Sequence, residues 1–391
     1  MNEIQKQRLW EAITESVEKR EISGCSLLVQ KENTEEIYLE AGFADLEEKK
    51  PIQRDTIFRL FSMSKPVTAA AMMLLLERGK IDLCDPVSKY LPGFRNQKVF
   101  HNGQLEEVQR EMILMDLLNM TSGLVYNGET EAGRQTAALF DEVIEGLDEG
   151  DGGRITTVEF ANRLGELPLA FQPGTAWCYG TSADAAGAVV EMVSGMKFGE
   201  FLEKELFEPL EMKDTGFWVP KEKQSRLARV YECREGEPSL LYTGHNLGIR
   251  NSMDRRPAFE SGGAGLVSTV DDYLHFAMML QNGGEYRGRR ILGKSTVDFM
   301  TRRQLERKQQ EYLDEWFGLD GFTYGNFMRI LQKPEKAVTL GSRGEYGWDG
   351  WLGCYFANAP QEKQTILLMT QKKDSGTFAL TRKIRNIIYS D

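Results

Sequence analysis

Cysteine and histidine are scarce in this chain of 391 residues, which contains five and three of them, respectively. The cysteines are odd in number and scattered, and none forms a C-x-x-C pair. This pattern is typical of free thiols in a reducing cytoplasm rather than of a disulfide framework. The histidines do not stand at the spacing of metal ligands, so we expect no zinc site and no other bound metal.

Positive charge is also in deficit, because 48 lysines and arginines face 59 aspartates and glutamates, giving a net charge of −11 at pH 7. Proteins that bind nucleic acid or anionic lipid need a basic surplus, so neither partner is expected. No segment approaches the ~18 apolar residues of a membrane-spanning helix. The N-terminal residues lack the basic start and apolar run of a signal peptide. We therefore predict a cytoplasmic protein, and its oligomeric state is left open.

The two ends of the chain carry matching β-strand patterns. After an N-terminal helix, CSLLVQ (25–30) and EIYLEAGF (36–43) predict a β-hairpin. WLGCYFA (351–357) and QTILLMTQ (364–371) predict a second hairpin, and helical spacing in TFALTRKIRNIIYS (377–390) predicts a last helix. The simplest arrangement is one antiparallel sheet built from both chain ends, with the terminal helices covering one face.

The middle of the chain is different in pattern. It is rich in helical segments such as MILMDLLNM (112–120) and SADAAGAVVEMVSGMKFGEFLEKELF (182–207). Between them, acidic and glycine-rich stretches such as YNGETEAGRQ have the composition of surface loops. We predict an α+β fold in which a sheet domain, residues 1–90 and 255–391, carries a mostly helical insertion, residues 91–254. The active site would lie in the cleft between them.

The segment FSMSKPVTAAAMMLLLERGK (61–80) is a long apolar run with a proline near its start. Proline is tolerated only in the first turn of a helix, so Pro66 predicts a helix that begins close to Ser62. The run has no polar stripe, which predicts a helix buried on most sides. Ser62 would then stand at the positive end of the helix dipole, with Lys65 within reach of its hydroxyl. Burial would lower the pKa of Lys65, so that it could take a proton from the serine.

The Ser-x-x-Lys spacing alone carries little information, since it occurs three times, beginning at Ser16, Ser62 and Ser194. The first copy lies in an exposed helical pattern and the third at a helix end beside Gly195, so both are interpreted as incidental. For the middle copy, a helix cap with a lysine reaching towards solvent is the alternative to a nucleophile. The neighbouring Ser64 is expected to point elsewhere.

The segment DTIFRLFSMSKPVTAAAMMLLLERGKIDLCDPVSKYLPGF (55–94) resembles the nucleophile segment of the serine β-lactamase-like superfamily. This superfamily includes class C β-lactamases, penicillin-binding proteins, D-aminopeptidases and family VIII carboxylesterases. Its later blocks resemble residues 115–124, which begin MDLLNM, 173–217, which begin PGTAWCYGT, 261–292, which begin SGGAGL, and 344–360, which begin GEYGWDG. The resemblance covers nearly the whole chain and implies a β-lactamase/transpeptidase-like fold.

By this resemblance, Ser62 is the acylated nucleophile and Lys65 its proton partner. Tyr179, in Tyr-Gly-Thr, matches the tyrosine of the family's Tyr-x-Asn motif, and its phenol would share the proton transfers. The alternative for Tyr179 is a core aromatic beside Trp177. Thr181 replaces the usual asparagine and is expected to contact substrate, although a hydroxyl cannot reproduce both functions of an amide.

The third motif departs further from penicillin-recognising members. Where they carry Lys-Thr-Gly, this chain has Trp348, Asp349 and Gly350, similar to the Trp-x-Gly of family VIII esterases. Replacing the lysine and adding a carboxylate removes attraction for an anionic substrate. We predict that all three residues bind substrate, Gly350 by allowing close backbone approach. The backbone amides of Trp351 and Ser62 would form the oxyanion hole. Trp348 could instead pack against the sheet edge, and Asp349 could point to solvent.

Together, the motifs predict a serine hydrolase without cofactor or metal that acts on a small ester or amide through an acyl-enzyme at Ser62. Carboxylesterase-type hydrolysis ranks first. β-Lactamase or D-amino-acid peptidase activity, acyl transfer to an alcohol or amine, and a non-catalytic binding protein on the same scaffold are the alternatives.

Overall fold

The computed structural model describes residues 1–101 and 103–390 and combines α-helices with a large antiparallel sheet. The α-helices are α1 Glu3–Glu18, α2 Ser64–Glu77, α3 Leu114–Leu118, α4 Glu131–Glu145, α5 Thr157–Glu166, α6 Ser182–Ser194, α7 Phe198–Leu202, α8 Val270–Gln281, α9 Lys294–Arg302, α10 Arg307–Leu313 and α11 Ala379–Ile388. The strands are β1 Gly24–Lys31, β2 Thr34–Asp45, β3 Lys50–Pro51, β4 Phe58–Arg59, β5 Lys98–His101, β6 Gln104–Glu107, β7 Val230–Glu232, β8 Leu240–Tyr242, β9 Val267–Ser268, β10 Glu285–Tyr286, β11 Arg289–Arg290, β12 Phe322–Gly325, β13 Met328–Leu331, β14 Tyr346–Asp349, β15 Tyr355–Ala359 and β16 Gln364–Thr370.

The central sheet has eight strands in the order β12-β13-β14-β15-β16-β1-β2-β3. Every pairing in it is antiparallel. The two chain ends join where β1 pairs with β16, from Cys25 opposite Thr370 to Lys31 opposite Gln364. The predicted sheet built from both termini is therefore confirmed.

Helices cover both faces of this sheet. On one face, α1 and α11 bury Leu9, Ile13 and Ile384 against Leu27 and Leu368 of the central strands. On the other face, α2 and α8 pack into a larger apolar core; the ring of Tyr273 in α8 contacts that of Phe356 in β15, with centroids 5.4 Å apart. Along β1, Leu27 and Val29 face the first core and Leu28 faces the second, as expected for side chains that alternate along a strand.

Several elements differ from their predicted bounds. The strand predicted from residue 351 begins at Tyr355, because the chain first turns at Gly353, whose φ is +86° and whose amide bonds to the carbonyl of Gly350. The helical run 182–207 is interrupted at Gly195, which ends α6 in the left-handed conformation. Part of the predicted loop YNGETEAGRQ is helical, since the Thr130 hydroxyl caps α4 by accepting from the amide of Gly133. The division into a sheet domain and an insertion stays a prediction.

A search of the described residues finds no helix with the length and apolarity needed to cross a lipid bilayer.

Candidate active site

The predicted nucleophile lies where the chain enters helix α2. A 3₁₀ turn, Phe61–Met63, leads into the helix, and Pro66 occupies its first turn, as the sequence predicts. The helix is buried from Ser64 to Leu75, which also agrees with its lack of a polar stripe. The hydroxyl of Ser64 accepts from the amide of Leu266 at 3.0 Å and so points into the core.

Lys65 is fully buried and lies one turn from the half-buried Ser62. Its Nζ contacts three uncharged oxygens: Ser62 Oγ at 3.1 Å, Tyr126 Oη at 3.0 Å and the Gly263 carbonyl at 2.8 Å. Burial lowers the pKa of Lys65 to about 7, although the more distant carboxylates of Asp184 and Asp349 act to raise it. Near neutral pH a large share of this amine is therefore unprotonated, and an unprotonated amine beside a serine can accept its proton.

Asp184 holds the segment that contacts Lys65 opposite Ser62. It lies in α6 and accepts from the amide of Gly263 at 3.0 Å and from the hydroxyl of Ser261. These bonds fix the segment whose carbonyl contacts Lys65. Burial raises the pKa of Asp184 above its ordinary value. The sequence analysis did not single out this residue, yet it stands five positions after Tyr179 in the same block, which is the signal that could have identified it.

Tyr126 is the second contact that the sequence analysis missed. It lies two residues beyond the block that ends at Leu124, in a segment that was interpreted as a loop. Its phenol reaches Lys65, and its ring packs against that of Tyr179 with centroids 5.7 Å apart. Burial raises the pKa of the Tyr126 phenol well above its ordinary value. At neutral pH it therefore stays protonated and can serve the lysine as a hydrogen-bond partner.

Tyr179 also lies at the site, because the ammonium nitrogen of Lys65 is 4.6 Å from the centroid of its ring. Burial raises the pKa of its phenol, and the nearby side chains of Ser62 and Trp348 only partly offset that rise. The structure thus brings Ser62, Lys65 and Tyr179 together. Their environments push the pKa values of the amine and the phenol apart, which favours Lys65 as the base and Tyr179 as a proton donor.

Trp348 holds the phenol in place. Its indole Nε1 donates to Tyr179 Oη at 2.9 Å, and the two rings lie 5.2 Å apart. Only 3% of Trp348 is exposed, so its ring offers little surface to a substrate. The edge of Trp316 packs against Tyr179 from another side, also at 5.2 Å. This aromatic packing leaves the phenol little freedom.

Asp349 does not point to solvent. It forms an ion pair with Arg329, with Nη1 and Oδ2 2.8 Å apart, and it also accepts from the hydroxyl of Thr377. Because its charge is compensated, the repulsion of an anionic substrate that the sequence suggested is weakened.

Gly350 is needed for packing within the protein. A Cβ atom at this position would lie 2.2 Å from the carbonyl oxygen of Leu60, so only glycine lets the end of β14 approach the turn that carries Ser62. Trp351 follows, with its ring 4.9 Å from that of Phe61. Phe61 has a φ of +45°, a left-handed conformation that costs about 1–3 kcal/mol for such a residue. The backbone is therefore strained immediately before the predicted nucleophile.

The amide of Trp351 donates to no partner among the described residues, whereas that of Gly350 donates to the carbonyl of Cys354. The former is thus available to a ligand, and its role in an oxyanion hole stays a prediction.

Thr181 is fully buried, and its hydroxyl reaches the carbonyl of Val125 at 3.4 Å. It stands at the N-cap of α6, directed into the protein. Its contact with a substrate stays a prediction.

No group of three or more histidine, cysteine, aspartate or glutamate side chains in the described part of the chain could hold a metal ion.

Known proteins resemble this chain in sequence and in fold. A family model described as Beta-lactamase matches residues 10–388. Protein Rv1367c of Mycobacterium tuberculosis is 30% identical, with 85% of this chain and 81% of the relative covered. Esterase EstB of Burkholderia gladioli is 29% identical, with 98% of this chain and 95% of the relative covered. The solved structure of EstCE1, a hydrolase with promiscuous acyltransferase activity, shares the fold with a TM-score of 0.81 at 24% identity, covering 98% of both chains.

Proposed function

Because this chain belongs to the β-lactamase family and is a serine hydrolase, we propose that it cleaves small carboxylic esters through an acyl-enzyme on Ser62. The observation that carries the proposal is the 3.1 Å hydrogen bond between Lys65 Nζ and Ser62 Oγ, made by a lysine whose pKa burial lowers to about 7. A similar relative named as an esterase, EstB, supports the choice of ester over amide.

In the acylation step, the neutral amine of Lys65 takes the proton of Ser62 as Oγ bonds to the ester carbonyl carbon. The amides of Ser62 and Trp351 would stabilise the resulting oxyanion. When the bond from carbon to the alcohol oxygen breaks, the phenol of Tyr179 gives its proton to the leaving alkoxide, and Lys65 returns a proton to the phenol. The step releases a neutral alcohol and leaves an acyl group on Ser62.

Deacylation uses the same groups in the reverse sense. A water molecule gives a proton to the Tyr179 phenol, which passes its own proton to neutral Lys65, as the water oxygen bonds to the acyl carbon. When the bond from carbon to Ser62 Oγ breaks, Lys65 gives that proton to Oγ, which releases a carboxylic acid and restores the serine hydroxyl. Acyl transfer differs only in that an alcohol or amine takes the place of water.

The test is covalent labelling by a fluorophosphonate together with turnover of short p-nitrophenyl esters. Ser62→Ala should abolish labelling and lower kcat by at least about 10³-fold. Ser194→Ala is the matched control, because it removes the serine of another Ser-x-x-Lys copy and should leave both readouts unchanged. Wild-type protein that is neither labelled nor active on any ester would contradict the proposal.

A parallel assay with nitrocefin separates a β-lactamase from an esterase. The position of the family's recognising lysine holds Trp348, which is buried and engaged with Tyr179, so it offers no cation to the carboxylate of a β-lactam. Nitrocefin should therefore be hydrolysed far more slowly than the esters. We also propose a cytoplasmic location, since all five cysteines are free thiols.

A further inference from the structure

A cavity of about 300 Å³ lies beside Trp348, next to the Ser62 site. It lies between the loop 316–319, the ends of β13 and β14, and the start of α11. The indole of Trp348 contacts both sites, because its ring lies 5.2 Å from that of Tyr179 and 5.4 Å from the Cζ atom of Arg329. The volume is at the lower end of the range of small-molecule pockets.

The cavity wall contains a buried guanidinium with unpaired donors. The side chain of Arg329 is 4% exposed, and its Nη1 donates to Asp349 at 2.8 Å. Its Nη2 has no hydrogen-bond partner among the residues that the structure describes. A buried charged donor without an acceptor is costly, and such groups are rare in native proteins unless a ligand or partner satisfies them.

The charges around the cavity leave a positive surplus. Arg329 is paired with Asp349, and Arg385 is paired with Glu345. Arg382, the third arginine in the wall, donates to the carbonyl of Thr377 at 3.1 Å and has no carboxylate partner within the described residues. Three guanidinium groups therefore face two carboxylates, which favours an anion in the cavity.

The rest of the wall and the rim are apolar. Phe317 is 85% exposed, and Trp316 and Val338 are 40% and 51% exposed at the same opening. Clustered exposed apolar side chains on a soluble protein mark binding sites more often than isolated ones do. An apolar rim above a buried arginine suits a ligand with a hydrophobic body and one small anionic group, and it disfavours a strongly hydrated ion.

We propose that this cavity binds the carboxylate of a small apolar acid. The carboxylate lies against the guanidinium groups of Arg329 and Arg382, and the apolar part lies against Trp316 and Phe317. A planar carboxylate matches the geometry of a guanidinium. Acids of this class are also what ester hydrolysis releases, but the binding site itself stands without that activity.

The test measures benzoate binding by isothermal titration calorimetry to the Ser62→Ala protein, which cannot form an acyl-enzyme. We expect saturable binding of benzoate, weak or no binding of the neutral analogue benzamide, and no competition by inorganic phosphate. Arg329→Gln should weaken benzoate binding about tenfold or more, the loss expected for a charge-assisted hydrogen bond. Because the readout is binding, a failure of the esterase proposal would leave this result unaffected.

A second variant guards against misfolding of Arg329→Gln, which also leaves Asp349 without its partner. Arg382→Gln removes a charge from the cavity wall without breaking an ion pair and should weaken benzoate binding severalfold. Arg343→Gln removes an equal charge from an exposed position outside the cavity and should change nothing. Absence of benzoate binding, equal binding of benzamide, tighter binding of phosphate, or affinity unchanged in both cavity variants would overturn the proposal.

Discussion

Two of the buried cations in this molecule, Arg385 and Lys65, have opposite surroundings. Arg385 in α11 is 2% exposed and is engaged by the carboxylate of Glu345 and the phenol of Tyr355. Lys65 in α2 is 0% exposed, and its hydrogen-bond partners within the described residues are two hydroxyls and a carbonyl. Burial acts to lower both pKa values, but Glu345 reverses the effect and raises that of Arg385, whereas that of Lys65 falls to about 7.

The presence or absence of a direct counterion separates a cation that stabilises the fold from one that can exchange a proton. A buried cation with a direct counterion keeps its charge at any pH the protein meets, so it can only hold elements together. A buried cation whose carboxylates stay at a distance can lose its proton near neutral pH, so it can take part in proton transfer. Asp184 and Asp349 are near enough to raise the pKa of Lys65, but each is engaged elsewhere, by Ser261 and Arg329.

The largest expected effect on activity comes from removing the amine of Lys65. Lys65→Met keeps the length of the side chain without its amine, so kcat on p-nitrophenyl esters should fall by about 10²–10⁴-fold. The fold should persist, as judged by circular dichroism. Lys197→Met, in the Ser-x-x-Lys copy at the protein surface, is the matched control and should retain full activity. If Lys65→Met kept most of its turnover, another group would have to be the base.

Removing the counterion of Arg385 should instead lower the stability of the fold. Glu345→Gln leaves Arg385 buried without a counterion, so the free energy of unfolding in urea should fall by about 3–5 kcal/mol. Turnover per folded molecule should stay near the wild-type value. The control is Glu211→Gln at the exposed pair with Arg287, which should cost no more than about 1 kcal/mol. Equal losses in the two variants would erase the distinction between buried and exposed pairs.

A smaller effect is expected from the group that holds the phenol. Trp348→Phe keeps an aromatic ring but removes the hydrogen bond to Tyr179, so kcat should fall about tenfold, with KM little changed. This split distinguishes a positioning residue from a substrate-binding one. A rise in KM at constant kcat would favour the direct substrate contact that the sequence suggested for Trp348.

The smallest effect is a shift in pH dependence. Since Lys65 must be neutral to act as base, kcat/KM should rise with pH through about 7. Asp184→Asn removes a carboxylate that raises the pKa of Lys65, so the acidic limb should move to lower pH. Asp141→Asn, at an exposed position of α4, should leave the limb in place. A limb that moves to higher pH in Asp184→Asn would contradict the assignment of Lys65.

The sequence predicted those features of the site that depend on local order. The proline at position 66 and the apolar run after it were enough to predict where α2 begins and that Lys65 reaches Ser62. The paired strands at the two chain ends likewise predicted the sheet. Tyr126 and Asp184 were missed because their importance comes from contacts with Lys65 and Gly263, far away in sequence.

The residues around Trp348 show that a motif match gives the position of a residue but not its contacts. A motif match placed Trp348, Asp349 and Gly350 near the site but could not say what each touches. Their contacts are with Tyr179, Arg329 and Leu60, so the triplet mainly supports other parts of the protein. The position of Thr181 in a motif predicts a substrate contact, but it could not predict that the Thr181 hydroxyl reaches the carbonyl of Val125.

The hydrogen bond between Trp348 and Tyr179 joins two segments separated by 169 positions in the chain. During synthesis, the serine and its lysine leave the ribosome early, while the indole that steadies the phenol emerges when nine-tenths of the polypeptide already exists. A nascent or truncated chain would therefore carry the proposed nucleophile without the side chain that orients its proposed proton donor. We expect full reactivity only in the finished protein.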